Sequence, residues 1–274
     1  MSLFKVDKAK CNYCRMCALE CPAGVIAMAS PKTIPSLAGG GEERCILCGH
    51  CVAVCAPGAF SHREIKPEGL ERMSKRLLPS PAQAERFLKS RRSIRAYKKK
   101  PVLRELLAKV IDIARYAPSG RNSQPVQWLV IEDRQEVKRL AGMVIDWMRM
   151  AIQTVPDIAS QLHFDLMAGA WDLGADYIMH GAPHAIIAHA PKDLPLAEGS
   201  CYIALTYLEL AAYSQGLGAC WAGWFQIAAT SHPPITEALQ LPEGHKCYGA
   251  MMIGYPRHRF TRIPIRNEPA ITWR

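Results

Sequence analysis

The stretch "CNYCRMCALECP", Cys11 to Pro22, spaces four cysteines by three, three and four positions and sets a proline after the last. The spacing returns in "CILCGHCVAVCAP", where Cys45, Cys48, Cys51 and Cys55 repeat it. Eight of the chain's eleven cysteines therefore lie in its first 55 residues. Nothing in "MSLFKVDKAKC" resembles the apolar core of a secretory signal, so the expected compartment is reducing and cytoplasmic. In such a compartment eight clustered thiols point to metal rather than to disulfides.

Structural zinc is served by separate C-x2-C pairs, not by runs of three closely spaced thiols. A cubane iron–sulfur cluster needs one thiolate on each of four irons. Three cysteines at C-x2-C-x2-C wrap one side of the cube, and the chain cannot turn back sharply enough to add the fourth. In two-cluster proteins the fourth cysteine of each run ligates the other cluster. The expected sets are Cys11, Cys14, Cys17 and Cys55 for one [4Fe–4S] cluster, and Cys45, Cys48, Cys51 and Cys21 for the second. The metal would supply contacts that a segment of about 60 residues with little core lacks. The segment resembles bacterial two-cluster ferredoxins. It departs from them at "CAP", where Pro57 is displaced by one position.

The whole chain has 274 residues, 49% hydrophobic and 21% charged, an ordinary globular composition with room for two domains. No apolar stretch is long enough to span a membrane. Residues 1–62 read as the ferredoxin-like domain, the polar and Pro/Gly-punctuated 63–83 as a linker, and 84–274 as a second domain. Ser80 and Pro81 are placed to open a helix. "PVLRELLAKVIDIARYAPSG" and "RQEVKRLAGMVIDWMRMAIQ" show helical periodicity, and "VQWLVIED" and "HAIIAHA" read as buried strands. "SCYIALTYLELAAYSQGLG" is apolar nearly all round and reads as a central buried helix, followed by strand candidates at 219–225 and 246–255. Helices and strands mix without strict alternation, which favours an α+β fold.

Net charge is +10, which draws anionic partners. "RRSIRAYKKK" holds six bases and no acid. In an extended segment Arg91, Ser93 and Arg95 point one way, which suits a phosphate; a solvated basic face is the alternative. Neither a helix-turn-helix nor an aromatic–basic platform is present, so no nucleic-acid partner is expected. In "APSGRNSQPVQW" the amides of Asn122 and Gln124 suit the edge of a flat heterocycle, or simply a helix–strand turn. "GLGACWAGWF" lets backbone approach a ring between tryptophans, or packs as core. "IGYPRHRFTRIPIR" closes the set with Arg262.

In this order the motifs, from about Ala84 to Trp273, resemble the FMN-dependent nitroreductase family. The resemblance implies a sheet flanked by helices, a homodimer and FMN bound at the subunit interface. It implies that Arg91, Arg92, Ser93 and Arg95 hold the flavin phosphate, ribityl chain and pyrimidine edge, and that Asn122 and Gln124 hold the ring. Backbone N–H groups of Gly223 and Trp224 would face flavin N5, and Arg262 the phosphate. No side chain acts as catalyst in this reading. The family's second C-terminal base is replaced by Phe260, with Arg259 beside it, and Val126 follows the N-x-Q-P turn where relatives carry an aromatic residue. The activity implied is electron transfer between [4Fe–4S] clusters, FMN and a small oxidised organic substrate, with NAD(P)H or reduced ferredoxin as donor. A flavin–iron–sulfur carrier serving a protein partner is the alternative.

Overall fold

The computed structural model describes residues 2–274. The chain divides into two compact units, one running to Pro79 and taking in Arg121–Ser123, the other comprising Ser80–Gly120 and Gln124–Arg274. The stretch 63–83 is shared between them: up to Pro79 it groups with the first unit, and from Pro81 it is helical.

Among the described residues no helix or strand of the first unit is longer than four residues. In chain order it has β1 (Phe4–Val6), α1 (Met16–Leu19), β2 (Ile26–Ala27), β3 (Ser36–Leu37), α2 (Gly41–Arg44), α3 (His50–Ala53) and β4 (Phe60–His62). β1 pairs antiparallel with β4, setting Phe4 opposite His62, and β2 pairs with β3. The apolar core is Leu3, Phe4, Val25, Ile26, Val52 and Phe60, with the Phe4 and Phe60 rings stacked at 4.6 Å. Aligned cysteine on cysteine, the two runs share a backbone. Tyr13 and Leu47 have φ of 58° and 52°, and Arg15 and Gly49 have 67° and 75°. The displaced Pro57 leaves the turn unchanged. Gly24 N–H donates to the Cys21 carbonyl and Gly58 N–H to the Cys55 carbonyl, both glycines at positive φ.

The second unit opens with α4 (Pro81–Ser90). Ser80 caps it by accepting from Gln83 N–H while the Gln83 side chain accepts from Ser80 N–H, a reciprocal capping box. α5 (Arg104–Ala114) buries Leu107, Val110 and Ala114 at helical spacing. β5 (Gln127–Ile131) leads to α6 (Arg134–Thr154), capped by Asp133, then α7 (Pro156–Gln161) and α8 (Phe164–Asp172). β6 (His184–Pro191), α9 (Ala197–Ser214), β7 (Gly218–Trp221), α10 (Gly223–Ser231), α11 (Pro233–Ala238) and β8 (His245–Gly254) follow.

The sheet order is β5-β6-β8-β7, antiparallel throughout. Alternation along β6 sends Ala185 and Ile187 into one core, with α6, α8 and α10. It sends Ile186 and Ala188 into the other, with α5 and α9. Helices on both faces explain why β6 is buried along nearly its whole length and apolar but for His184 and His189.

Three expectations need correction. β5 is not a buried strand: Gln127 is exposed and Trp128 to Ile131 are half-buried, because β5 lies at the edge of the sheet. α9 is not buried all round: Ile203 and Tyr207 are exposed on one side. The strand expected over 219–225 ends at Trp221, because Ala222 N–H makes its bond to the Ala250 carbonyl and the Ala222 carbonyl then accepts from Gln226 N–H, starting α10. Among the described residues no helix is long and apolar enough to cross a membrane.

Candidate functional site

The eight thiols of the first unit ring two recesses. Cys11, Cys14, Cys17 and Cys55 line one, with about 360 Å³ of empty space. Cys21, Cys45, Cys48 and Cys51 line the other, with about 450 Å³. Among the described residues no three His, Cys, Asp or Glu side chains converge tightly enough for a single metal ion. Four thiols around each recess match the four irons of a cubane, one thiolate to each. Burial pushes the Cys17 thiol up, and burial with neighbouring Cys48 pushes Cys51 up to about 11. Thiols held this way stay protonated at neutral pH until bound cations draw the protons off.

Asn122 groups with this unit. Its side-chain amide donates to the carbonyls of Ile46 and Leu47, 3.1 Å each, in the loop between Cys45 and Cys48.

In the second unit the "RRSIRAY" segment is extended and held by backbone bonds: Ile94 N–H to the Ala219 carbonyl and Arg257 N–H to the Ala96 carbonyl. Gly218 permits this approach, since a Cβ there would lie 2.4 Å from Ile94 Cγ1. The segment borders a recess of about 770 Å³ lined by Arg91, Arg92, Glu209, Tyr213, Arg259 and Phe260, among others. Arg91 Nη1 donates to Glu209 Oε1 at 2.7 Å. Glu209 is 8% exposed, and burial raises its carboxyl against the opposing pull of Arg91. The Arg92 guanidinium lies over the Phe260 ring at 5.7 Å, and its buried Nε–H has no hydrogen-bond partner. A buried guanidinium N–H left open is costly unless a ligand completes it. Three guanidiniums against one carboxylate fit an anionic, phosphate-like group.

The other expected residues are placed as follows. Ser93 Oγ is 3.5 Å from Arg91 Nη1. Arg95 is exposed and does not line the recess; burial raises the Cys220 thiol, with Arg95 and Ser93 pulling it the other way. Arg262 is exposed and outside the recess; the C-terminal segment brings Arg259 to it instead. Gly223 and Trp224 form the first turn of α10, which no side chain caps, so their N–H groups have no partner within the helix. Trp224 meets Phe164 edge-on at 5.3 Å. Gln124 lines a separate recess of about 550 Å³ with Arg115, Ser119, Trp128 and Ser200. Its loop is strained: Arg121, Asn122 and Gln124 all have φ between 45° and 54°.

Glu209 escaped the sequence reading. Its signal was a lone acid in the apolar "LTYLELAAY".

Residues 88–255, more than half of the chain, match the model of the nitroreductase family, and residues 10–60 match a 4Fe–4S dicluster domain. A Methanothermobacter thermautotrophicus protein named as an NADH dehydrogenase/NAD(P)H nitroreductase is 27% identical over 62% of this chain and 75% of its own length. The 4-nitrobenzoate reductase of Pseudomonas putida is 28% identical over 65% of this chain and 87% of its own. The crystal structure of a Bacteroides fragilis nitroreductase with bound FMN shares the fold at a TM-score of 0.59 and 22% identity, over 70% of this chain and 98% of that one. The chain therefore belongs to the nitroreductase family and carries a 4Fe–4S dicluster domain ahead of the family's fold.

Proposed function

We propose that the chain is an FMN-dependent oxidoreductase of the cytoplasm that passes electrons between two [4Fe–4S] clusters, FMN and a small oxidised organic molecule. Nitroaromatics, quinones and activated alkenes are the substrate class. The observation that carries this reading is the joining, in one chain, of two four-thiol recesses to a nitroreductase body whose arginine recess holds an unpartnered guanidinium N–H. FMN, when bound, exchanges electrons singly with metal clusters and in pairs with organic molecules.

The protein's residues have assigned parts. Cys11, Cys14, Cys17 and Cys55 hold one cluster and Cys21, Cys45, Cys48 and Cys51 the other. Arg91, Arg92 and Arg259 neutralise the FMN phosphate, with Glu209 fixing Arg91. Ser93 and Arg95 continue along the cofactor, and the free N–H groups of Gly223 and Trp224 meet its ring edge. Gln124 and Arg91 line recesses that share no residue, which suits a flavin held between two copies. The exposed Ile203 and Tyr207 of α9 suit the homodimer contact.

Cys14 is exposed where the other seven cluster thiols are half-buried. Exposed Arg15 follows it directly, lines the same recess and makes no ion pair among the described residues. A cluster thiol open to solvent beside a cation suits docking of an acidic one-electron donor protein such as reduced ferredoxin.

Anaerobically purified protein should carry about eight irons per chain and release FMN on heating. Mixed with reduced ferredoxin, NADH and NADPH in parallel, its flavin should bleach fastest with ferredoxin, and 4-nitrobenzoate should restore the colour. Flavin-free protein would sink the reading. Reoxidation no faster than that of free FMN would reduce the chain to an electron carrier.

A further inference from the structure

The alignment of the two cysteine runs extends past the thiols: Met28 stands in the first where His62 stands in the second. Met28 lines the recess of Cys11, Cys14, Cys17 and Cys55; His62 lines that of Cys21, Cys45, Cys48 and Cys51. Several backbone features around the thiols are matched. Ala18 N–H lies by the Cys17 sulfur and Val52 N–H by the Cys51 sulfur. Met28 and His62 are not matched chemically, since a thioether has no proton to donate.

The His62 ring is held firmly. It is 3% exposed; β4 pairs it with Phe4 of β1, and a turn bond from His62 N–H to the Ile65 carbonyl holds its backbone further. Its Nδ1 accepts from Glu64 N–H at 3.1 Å. In the neutral ring the proton must then sit on Nε2. That nitrogen lies 3.7 Å from Cys45 Sγ, an N–H···S contact. Val25 N–H donates to Cys21 Sγ at 3.3 Å, in the same set of four.

Reduction adds one electron to a cluster and its thiolates, and a hydrogen-bond donor stabilises the more negative state. The geometry points to His62 as the residue that makes the cluster held by Cys21, Cys45, Cys48 and Cys51 the more easily reduced of the two. The electron then rests there after entering the chain, and His62 keeps its proton throughout. This inference rests on the reading that both recesses carry clusters.

The test is a potentiometric titration of the anaerobic holoprotein, followed by EPR, with His62→Met and His62→Gln. His62→Met gives the second site the side chain that the first carries naturally. It should lower the reduction equilibrium of one cluster about tenfold, or about 59 mV for one electron, and leave the other cluster in place. His62→Gln returns an amide N–H and should recover at least half of the shift. Unmoved midpoints, equal shifts of both, or a Gln variant that behaves like the Met variant would each overturn the assignment. Should the variants lose iron, reduced wild-type protein labelled with nitrogen-15 histidine decides. Pulsed EPR should show a histidine nitrogen coupled to one cluster, and absence of that coupling refutes the bond. The titration reads clusters whether or not electrons reach a flavin. A flavin that stays oxidised thus sinks the functional reading alone, and an unmoved midpoint sinks this one alone.

Discussion

The cysteine-rich unit buries Leu3, Phe4, Val25, Ile26, Val52 and Phe60 around helices of four residues, whereas the second unit closes two apolar cores over the faces of a four-stranded sheet. The first cannot offset the entropy of ordering its chain by apolar burial. The second can, because β6 contributes side chains to both faces and α6 and α9 lay long apolar surfaces against them. Two neighbouring stretches of one chain are therefore expected to fold by different means, one around metal and one around hydrocarbon.

The largest expected effect separates them directly. Removing iron with a chelator under oxidising conditions should make the segment up to Pro79 protease-sensitive, while a fragment beginning near Ser80 resists; mass spectrometry of the digest reads both. A first unit that stays resistant without iron would break the comparison. Cys21→Ser should cost about four of the irons and remove the EPR signal of the cluster on Cys45, Cys48 and Cys51. Loss confined to the Cys11, Cys14 and Cys17 site would show that the ties run differently. On the hydrocarbon side, Leu205 of α9 is fully buried. Leu205→Ala should destabilise the second unit by about 2–5 kcal/mol in denaturant unfolding, with the cluster absorbance unaffected.

Smaller effects sharpen the picture. Gly49 has φ of 75°, and a Cβ there would lie 3.3 Å from Ile65 Cδ1. Gly49→Ala should cost about 1–2 kcal/mol, seen as earlier thermal loss of the cluster chromophore. Arg15 occupies the matching left-handed position, so Arg15→Gly should delay that loss. The smallest effect is a pH slope in the second unit. Burial lowers the pKa of His180, His184 and His189 below the ordinary 6.5. Above 6.5 these rings are neutral folded or unfolded, and their stabilising contribution is complete. As pH falls below it the unfolded chain takes protons first, so stability is lost down through the lowered folded values. His184 shows why: Nε2 accepts from Val102 N–H and Nδ1 donates to the Glu132 carbonyl, 2.8 Å each, which requires the neutral ring. His184→Gln should flatten the slope of melting temperature against pH.

The long elements were legible because their cause is local. Helical periodicity marked α5 and α6, Ser80 with Pro81 the start of α4, and the largely apolar "HAIIAHA" marked β6. The boundary between β7 and α10 was not legible, because it depends on the Ala222 bond to Ala250, far along the chain. The candidate cofactor recess was readable only in outline. "RRSIRAY" advertised charge, but which arginines share a recess depends on how β7 and the C-terminal segment grip it. Arg92 and Arg259 line the recess, Arg95 and Arg262 do not, and Glu209 enters from a helix over a hundred residues away. Asn122 in sequence looks like any turn amide. Only the fold shows its donors spent on Ile46 and Leu47.

Each four-thiol set draws from both runs, with Cys55 joining the first and Cys21 the second. Whichever cubane is inserted first must therefore gather the two halves and shape the cage for its twin. Under iron scarcity a population of these chains should sort into empty and fully loaded molecules, with few half-filled ones between. Scarcity would then lower the number of working copies while leaving each working copy intact.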